Sequence, residues 1–499
     1  VPLRHLRDLK DSFNKHGNED AIKVDFILRQ NSSIAEEGYR LDCDFPKVCY
    51  CDVSTSTGFI YAMGTLLQIV RGAPYVEEKI PKRFIIDDYP SFPHRGMLID
   101  TGRHYLPMDI LKKNLYVMAF NKMNVLHWHL TDDISFSLDL PQYTNLQKGN
   151  PSPFTYSKEE IIHFIKLANT LGIKVIPEID VPAHTQSWIR GYPELQGDAL
   201  YWMDPTSNFT KDFVVKVVTD VVNLFYGNKN SNEAYNGERV IHLGGDETWD
   251  AWNSTALREW TKIHGKFHNK TDLVDYWLKE VVGNISETTG AKVSIWNDFL
   301  NDNATELEVI DTWQIWLYDP EKTIELAESD RLPKSASIIF SDYSAFYLDQ
   351  LERTWADFYN VTFRRDSKGV IKGGEACLWG EFVDVSVFMA RAWPRASAVA
   401  ERLWCDDPSI CPFNHAWAVR RLSRFRCFMS NFVLGHTSPH ETTPLGRFQD
   451  ISAPARFYSF NLIKEQWWCP EWTSKESVTS HENGQKFDGV LDFLRLSEL

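Results

Sequence analysis

No stretch of the chain approaches the roughly 18 consecutive apolar residues that a bilayer span requires, so a membrane-crossing helix is not expected. Basic charge is also scarce. The 53 Lys and Arg face 68 Asp and Glu, a formal charge of -15, which removes the phosphate-neutralising surface expected of a nucleic-acid binder. There is no repeat array or low-complexity tract, and 43% hydrophobic with 24% charged residues excludes global disorder. The opening segment VPLRHLRDLKDSF has no apolar h-region, so a secretory leader is either not needed or already removed. The 8 Cys lack a zinc pattern, because the near pair Cys49 and Cys51 is C-x-C with no matching His.

What is present in excess is the sequon N-x-S/T. It occurs at Asn31, Asn208, Asn253, Asn269, Asn284, Asn303 and Asn360, against about three by chance, so these are candidate glycosylation sites. The excess favours the secretory pathway, ending outside the cell or in a lysosome or vacuole. In that oxidising setting Cys43, Cys49 and Cys51 form one candidate bridging cluster, and Cys405, Cys411, Cys427 and Cys469 a second; Cys377 is left free.

The 499 residues accommodate about three domains, or one large α/β barrel of about 250 residues or more plus an accessory domain. From residue 94 short apolar runs alternate with amphipathic helical patterns, as βα units do. Eight strand candidates can be counted: 94–100, 124–130, 173–180, 239–247, 291–298, 308–316, 337–343 and 371–379. Between them lie helices such as PMDILKKNLYVMAFNKM, opened by Pro107, and SKEEIIHFIKLANTLG, opened by a Ser157/Glu160 capping box and closed by Gly172. The expectation is a (β/α)8 TIM barrel over 93–435. A small α/β domain over 1–92 precedes it, with strands in AIKVDFIL, GYRLDCDF and KVCYCDV and a helix ending at Gly72. The segment DDYPSFPH is the boundary, because Pro90 and Pro93 interrupt any continuing element. Residues 436–499 are read as an extension packed on the barrel.

Reactive groups in such a barrel stand at the C-terminal ends of its strands. The first strand candidate carries Arg95; the second leads to His127, His129, Asp132 and Asp133; the third to Glu178, Asp180 and His184; the fourth to Asp246 and Glu247. Later ends add Trp296, Trp313, Trp316, Tyr343, Tyr347 and Trp379, with Asp298, Asp349 and Glu381 among them. Aromatic faces suit the C–H patches of pyranose rings, while carboxylates and Arg suit their hydroxyls. Glycosidic cleavage needs a protonated acid and a group that stabilises an oxocarbenium-like centre, and Asp246-Glu247 offers both, since each carboxylate disfavours ionisation of the other. Adjacent residues fit poorly to two carboxyls flanking one bond. That misfit points to a nucleophile carried by the substrate, a 2-acetamido group. A competing reading takes His127, His129, His184, His242 and Asp298 as ligands of a metal-dependent amidohydrolase; the HxH pair, however, lies on the second strand candidate and no suitable Asp closes the eighth, so no metal is expected.

The ordered motifs FPHRGMLIDTGRHYLP, NVLHWHLTDD, VIPEIDVPAHT, IHLGGDET and GGEACLWGE closely resemble the family 20 glycoside hydrolases, the β-N-acetylhexosaminidases, with GGEACLWGE and WPRASAVAERLW similar to the animal lysosomal and insect enzymes. The resemblance runs from about Gly38 to Trp404. It implies a retaining, exo-acting enzyme that removes terminal β-linked GlcNAc or GalNAc through an oxazolinium intermediate, without metal or organic cofactor. It further implies Glu247 as acid/base, Asp246 holding the acetamido group, Tyr347 bonding its carbonyl, and Trp296, Trp316 and Trp379 lining the pocket. Arg95 and Glu381 would bind hydroxyls, His184 with Asp132 would support the acid, Asp180 would back the site, and Asp349 would select neutral sugars. Its partner is then an oligosaccharide or glycoconjugate. A silent glycan-binding barrel is the non-enzymatic alternative, and the oligomeric state, a homodimer among the options, stays open. The sequence departs from the family in the loop ISFSLDLPQYTNLQKGN and in Cys placement after Cys427.

Overall fold

The computed structural model describes residues 24–429 apart from 73–81, 151–153, 198–201, 229–236, 250, 253–261, 264, 266–269, 363 and 412–413. The tail 436–499, with Cys469, and the sequons at Asn253 and Asn269 lie outside the described residues.

Four strands form the small N-terminal sheet: β1 (Asp25–Gln30), β2 (Tyr39–Asp44), β3 (Val48–Val53) and β4 (Arg83–Asp88), in the order β1-β3-β2-β4. β1 runs parallel to β3 and the other pairings are antiparallel. The helix Ser56–Gly72 lies against β2 and β3, burying Phe59, Tyr61 and Ala62 on Tyr39, Leu41 and Val53. β4 is absent from the sequence reading because RFIIDD is short and abuts Pro90. Cys43 and Cys49 bridge β2 to β3, and Cys51 is a free buried thiol, so it leaves the expected bridging cluster. Cys405 pairs with Cys411, and Cys377 is free.

Eight parallel strands then close a barrel: β5 (His94–Asp100), β6 (Val125–His129), β7 (Lys174–Glu178), β8 (Val240–His242), β9 (Lys292–Trp296), β10 (Thr312–Ile315), β11 (Ser337–Phe340) and β12 (Ile371–Leu378). The (β/α)8 architecture is therefore the one expected, with each strand inside its predicted window. Two strands, β8 and β10, fall furthest short of their windows. β8 stops at His242 because Gly244 and Gly245 turn the chain at φ of 61° and 83°, and the start of the β10 window is a 3-10 turn, Leu307–Val309. Between strands, Ser157 caps the helix Lys158–Thr170 with the expected capping box, and Pro107 stands just before the helix Met108–Phe120, at its N-cap position. No helix among the described residues is long and apolar enough to cross a membrane.

Arg95 explains how the domains are joined. It lies near the start of β5, fully buried, and its guanidinium donates to both Glu37 carboxylate oxygens at 2.9 Å and to the Phe92 carbonyl. Nearby Lys122 reaches Asp88 at 2.6 Å and Tyr39 at 2.8 Å, with its ammonium 4.3 Å from the Trp404 ring. The joint is polar, yet its charges are paired, as burial requires.

Candidate active site

The turn after β8 carries the two carboxylates singled out in the sequence. A Cβ on Gly244 would stand 1.9 Å from Asp180 Oδ1, and the Gly245 N–H donates to that same oxygen at 2.9 Å, so the glycine pair lets the chain pass tightly over β7 and swing outward. Glu247 follows with φ of 52°, its N–H held by Asp298 Oδ1 at 3.0 Å. Asp246 is nearly enclosed, with 14% of its side chain exposed, whereas the Glu247 side chain is 49% exposed. His184 Nε2 stands 3.5 Å from a carboxylate oxygen of each.

The electrostatics separate these groups. Burial opposes ionisation of Asp246, but the His184 imidazole overrides it and holds the carboxyl below its ordinary range. Asp180 is driven well above that range, by burial and then by the charge of Asp246, so it keeps its proton beside an ionised neighbour. The like-charge pressure inferred for the adjacent pair thus falls on Asp180. Asp298 is pushed up to about 7 by burial and then by Asp246. Asp246 Oδ1 is buried and has no hydrogen-bond partner among the described residues, which leaves an acceptor for an incoming N–H.

Beside this acceptor Trp296, Tyr347 and Trp379 gather with Leu98, Cys377 and Trp316 into one cluster. Trp379 lies 5.8 Å from Trp296 and 6.0 Å from Tyr347, ring centre to ring centre. Trp316 is fixed by its indole N–H donating to Asp298 Oδ2 at 2.7 Å, and Tyr343 stands at its edge, 6.3 Å away. Trp313 packs into the main core instead. Asp349 has a buried Oδ1 without a partner among the described residues, and burial, then Glu381, pushes its carboxyl up to about 7.

Two assignments change. Arg95 begins its strand and is committed to Glu37, so it stands at the end of the barrel away from Asp246. The arginine at the mouth is Arg103, in the loop after β5: its guanidinium meets Asp100 at 2.9 Å, Asp132 at 3.1 Å and Glu381 at 3.6 Å, and lies 5.2 Å over the Trp379 ring. The signal was in the motif DTGRHYLP, since an arginine past a strand's C-terminal end points to the mouth and one at its start does not. Asp132, likewise, bonds His129 at 3.0 Å and Arg103; the carboxylate facing His184 is Asp133, at 3.7 Å.

The described residues place three groups of potential metal-ligating atoms close together: His127, Glu178 and His242; Asp132, Asp133 and His184; and Asp180, His184 and Asp246. The five-ligand set of the amidohydrolase reading is not gathered. His127 and His129 are hydrogen-bonded to Glu375, Glu178 and Asp132 inside the barrel, whereas His184 belongs to the mouth, and Asp298 serves Trp316 and the Glu247 N–H. Of the described sequons, Asn208, Asn284, Asn303 and Asn360 are exposed, and Asn31 accepts hydrogen bonds from Ser33, the Ser of its own sequon.

The chain is similar to known hexosaminidases. Beta-hexosaminidase 1 of Arabidopsis thaliana is 34% identical over 357 residues, 69% of this chain and 62% of that protein, so the chain spans less than two thirds of that relative's length. Beta-hexosaminidase subunit beta of Rattus norvegicus is 34% identical over 426 residues, 80% of this chain and 74% of the subunit. Among solved structures, the chitobiase of Flavobacterium johnsoniae matches with a TM-score of 0.68 at 25% identity, covering 87% of this chain and 68% of that one. The beta-N-acetylhexosaminidase of Bacteroides fragilis also reaches 0.68, at 22% identity, over 86% of this chain and 89% of that one, a likeness of fold. The family model described as glycosyl hydrolase family 20, catalytic domain, matches residues 92–407, which include Asp246, Glu247 and the aromatic pocket, and the chain belongs to that family.

Proposed function

We propose that the protein is an exo-acting, retaining β-N-acetylhexosaminidase that removes terminal non-reducing β-linked GlcNAc or GalNAc from oligosaccharides or glycoconjugates. The observation that carries this reading is Asp246, ionised beside His184 and with its Oδ1 unpartnered among the described residues, at the edge of an aromatic pocket with the half-exposed Glu247 next to it. A 2-acetamido group has an N–H for Asp246 and a carbonyl oxygen for the Tyr347 hydroxyl. So held, that carbonyl attacks the anomeric carbon while Glu247 gives its proton to the leaving oxygen. The bond to the aglycone breaks, an oxazolinium forms, and its positive nitrogen lies against the Asp246 carboxylate. Glu247 then takes a proton from the water that opens the ring, with net retention.

In this reading Trp296, Trp316 and Trp379 wall the acetamido group and the ring, Arg103, Asp349 and Glu381 take hydroxyls, and His184 with Asp133 supports the carboxylates. No step calls for a metal or an organic cofactor. The sequons and the bridges Cys43–Cys49 and Cys405–Cys411 support a secretory route, to the outside or to a lysosome or vacuole, with N-glycans on the exposed asparagines.

Hydrolysis of 4-nitrophenyl β-N-acetylglucosaminide beside the plain β-glucoside tests this, with wild type and Glu247→Gln in EDTA. Release from the acetamido sugar alone, lost in the variant, is expected. No release from either sugar would favour a glycan-binding barrel, and loss of activity in EDTA would favour metal-dependent hydrolysis.

A further inference from the structure

Beneath the pocket the barrel axis is filled by ionisable side chains that the proposed chemistry does not use. Glu178, the last residue of β7, is fully buried among them. Its Oε1 accepts the Trp296 indole N–H at 2.9 Å, and its Oε2 accepts His129 Nδ1–H at 2.7 Å. His127 Nε2 lies 3.1 Å from Oε2, and His242 Nδ1 lies 3.1 Å from Oε1. The connection continues outward from His129, whose other ring nitrogen donates to Asp132 Oδ2 at 3.0 Å; that oxygen also receives Arg103 at 3.1 Å. One carboxylate thus meets the indole that floors the pocket with one oxygen and, with the other, the imidazole that leads to the arginine at its rim.

We infer that Glu178 is a positioning residue for the reaction: its two oxygens hold Trp296 and, through His129 and Asp132, Arg103 in one fixed relation. This rests on the hexosaminidase reading. Both neighbours are donors, and only a carboxylate offers an acceptor to each. An amide has one acceptor oxygen and one NH2 group, so against an indole and a His129 that donates from both ring nitrogens it sets a donor against a donor either way round. His242 Nδ1 has its single lone pair taken by the Gly244 N–H at 3.1 Å, so it donates nothing to Oε1. The one oxygen of a glutamine therefore stays with the stronger, charged donor, His129, and leaves the Trp296 N–H without its acceptor. Trp296 is fully buried, with the His242 ring 5.1 Å away on one side and Trp379 5.8 Å away on another, so releasing its tether shifts the wall against which the acetamido group is aligned. Misplacement of about 1 Å in such a contact costs about 10²-fold in rate.

The test is a double-mutant cycle on the full chain, using wild type, Glu178→Gln, Trp296→Phe and the double variant, with kcat and KM for 4-nitrophenyl β-N-acetylglucosaminide and thermal melting of each. Glu178→Gln is expected to lower kcat about 10–100-fold with KM within about threefold. In the Trp296→Phe background, where no indole N–H remains to be held, the same substitution is expected to cost less than about threefold. A wild-type kcat in Glu178→Gln, or an equal penalty in both backgrounds, would overturn the inference alone. Should Glu178→Gln fail to fold, Trp296→Phe decides: a lowered kcat at wild-type melting temperature supports the tether, and an unchanged kcat overturns it. A wild type that leaves the substrate intact would overturn the hexosaminidase reading and the inference with it.

Discussion

The His184 imidazole stands 3.5 Å from the Asp246 carboxylate and lowers its pKa. Burial disfavours the imidazolium, but the carboxylates of Asp133 at 3.7 Å and of Asp246 and Glu247 at 3.5 Å outweigh it and raise His184 well above its ordinary range. His184→Ala removes the positive charge that keeps Asp246 ionised. The Asp246 pKa then rises, so the acid limb of the kcat/KM profile should move upward by about one unit, with kcat down about 10²-fold. A pH–rate profile checks this, and an acid limb that stays in place while the rate falls would refute the coupling.

Asp180 keeps its proton in the folded protein, so an amide is its closest replacement. Asp180→Asn retains the acceptor for the Gly245 N–H and a donor on the Asp246 side, and should hold kcat within about tenfold of wild type. Asp246→Asn removes the negative charge facing the acetamido nitrogen and should cost about 10²–10³-fold. Steady-state kinetics of the two variants decide; equal losses would mean that Asp180 works as a carboxylate.

The two arginines should separate stability from activity. Arg95→Ala leaves Glu37 unpaired in the domain joint and should cost about 3–5 kcal/mol of stability, with KM for the aryl glycoside unchanged in the protein that remains folded. Arg103→Ala should weaken turnover by about 10²-fold and melt closer to wild type. Denaturant titration beside kinetics tests the pair; the reverse pattern would restore Arg95 to the sugar site.

Alkaline pH should loosen the barrel core. Burial disfavours the His127 cation, yet Glu375 and Glu178 carry its pKa up to about 9. A raised imidazole stabilises fully below its unfolded value of about 6.5, and that contribution is lost as pH climbs through about 9. Glu375, held far below its ordinary range against its burial by His127 and His94, contributes above about 4.5 and fails only in strong acid. The melting temperature should therefore be highest between about pH 5 and 6.5 and fall by roughly 5 °C toward pH 9. His127→Gln should start lower and lose less over that interval. A flat wild-type curve from pH 6 to 9.5 would contradict this origin.

The barrel was legible because each βα unit announces itself locally. Apolar runs, Pro107, the Ser157 capping box and Gly172 mark element ends within a few residues of chain. Adjacency made Asp246 and Glu247 conspicuous, and composition made the aromatic strand ends so. Other features were out of reach of local reading. Whether Asp132 or Asp133 faces His184 depends on the path of a loop, since neighbours in a turn point different ways. Arg103 could be placed at the mouth from its position past the end of β5, but the Glu37 that takes Arg95 comes from the small N-terminal sheet domain, 58 residues away in sequence. The pressure that keeps Asp180 protonated arises between different strands. The bond from Trp296 to Glu178 joins residues 118 positions apart, where no periodicity operates, and closing the barrel is what brings them to 2.9 Å.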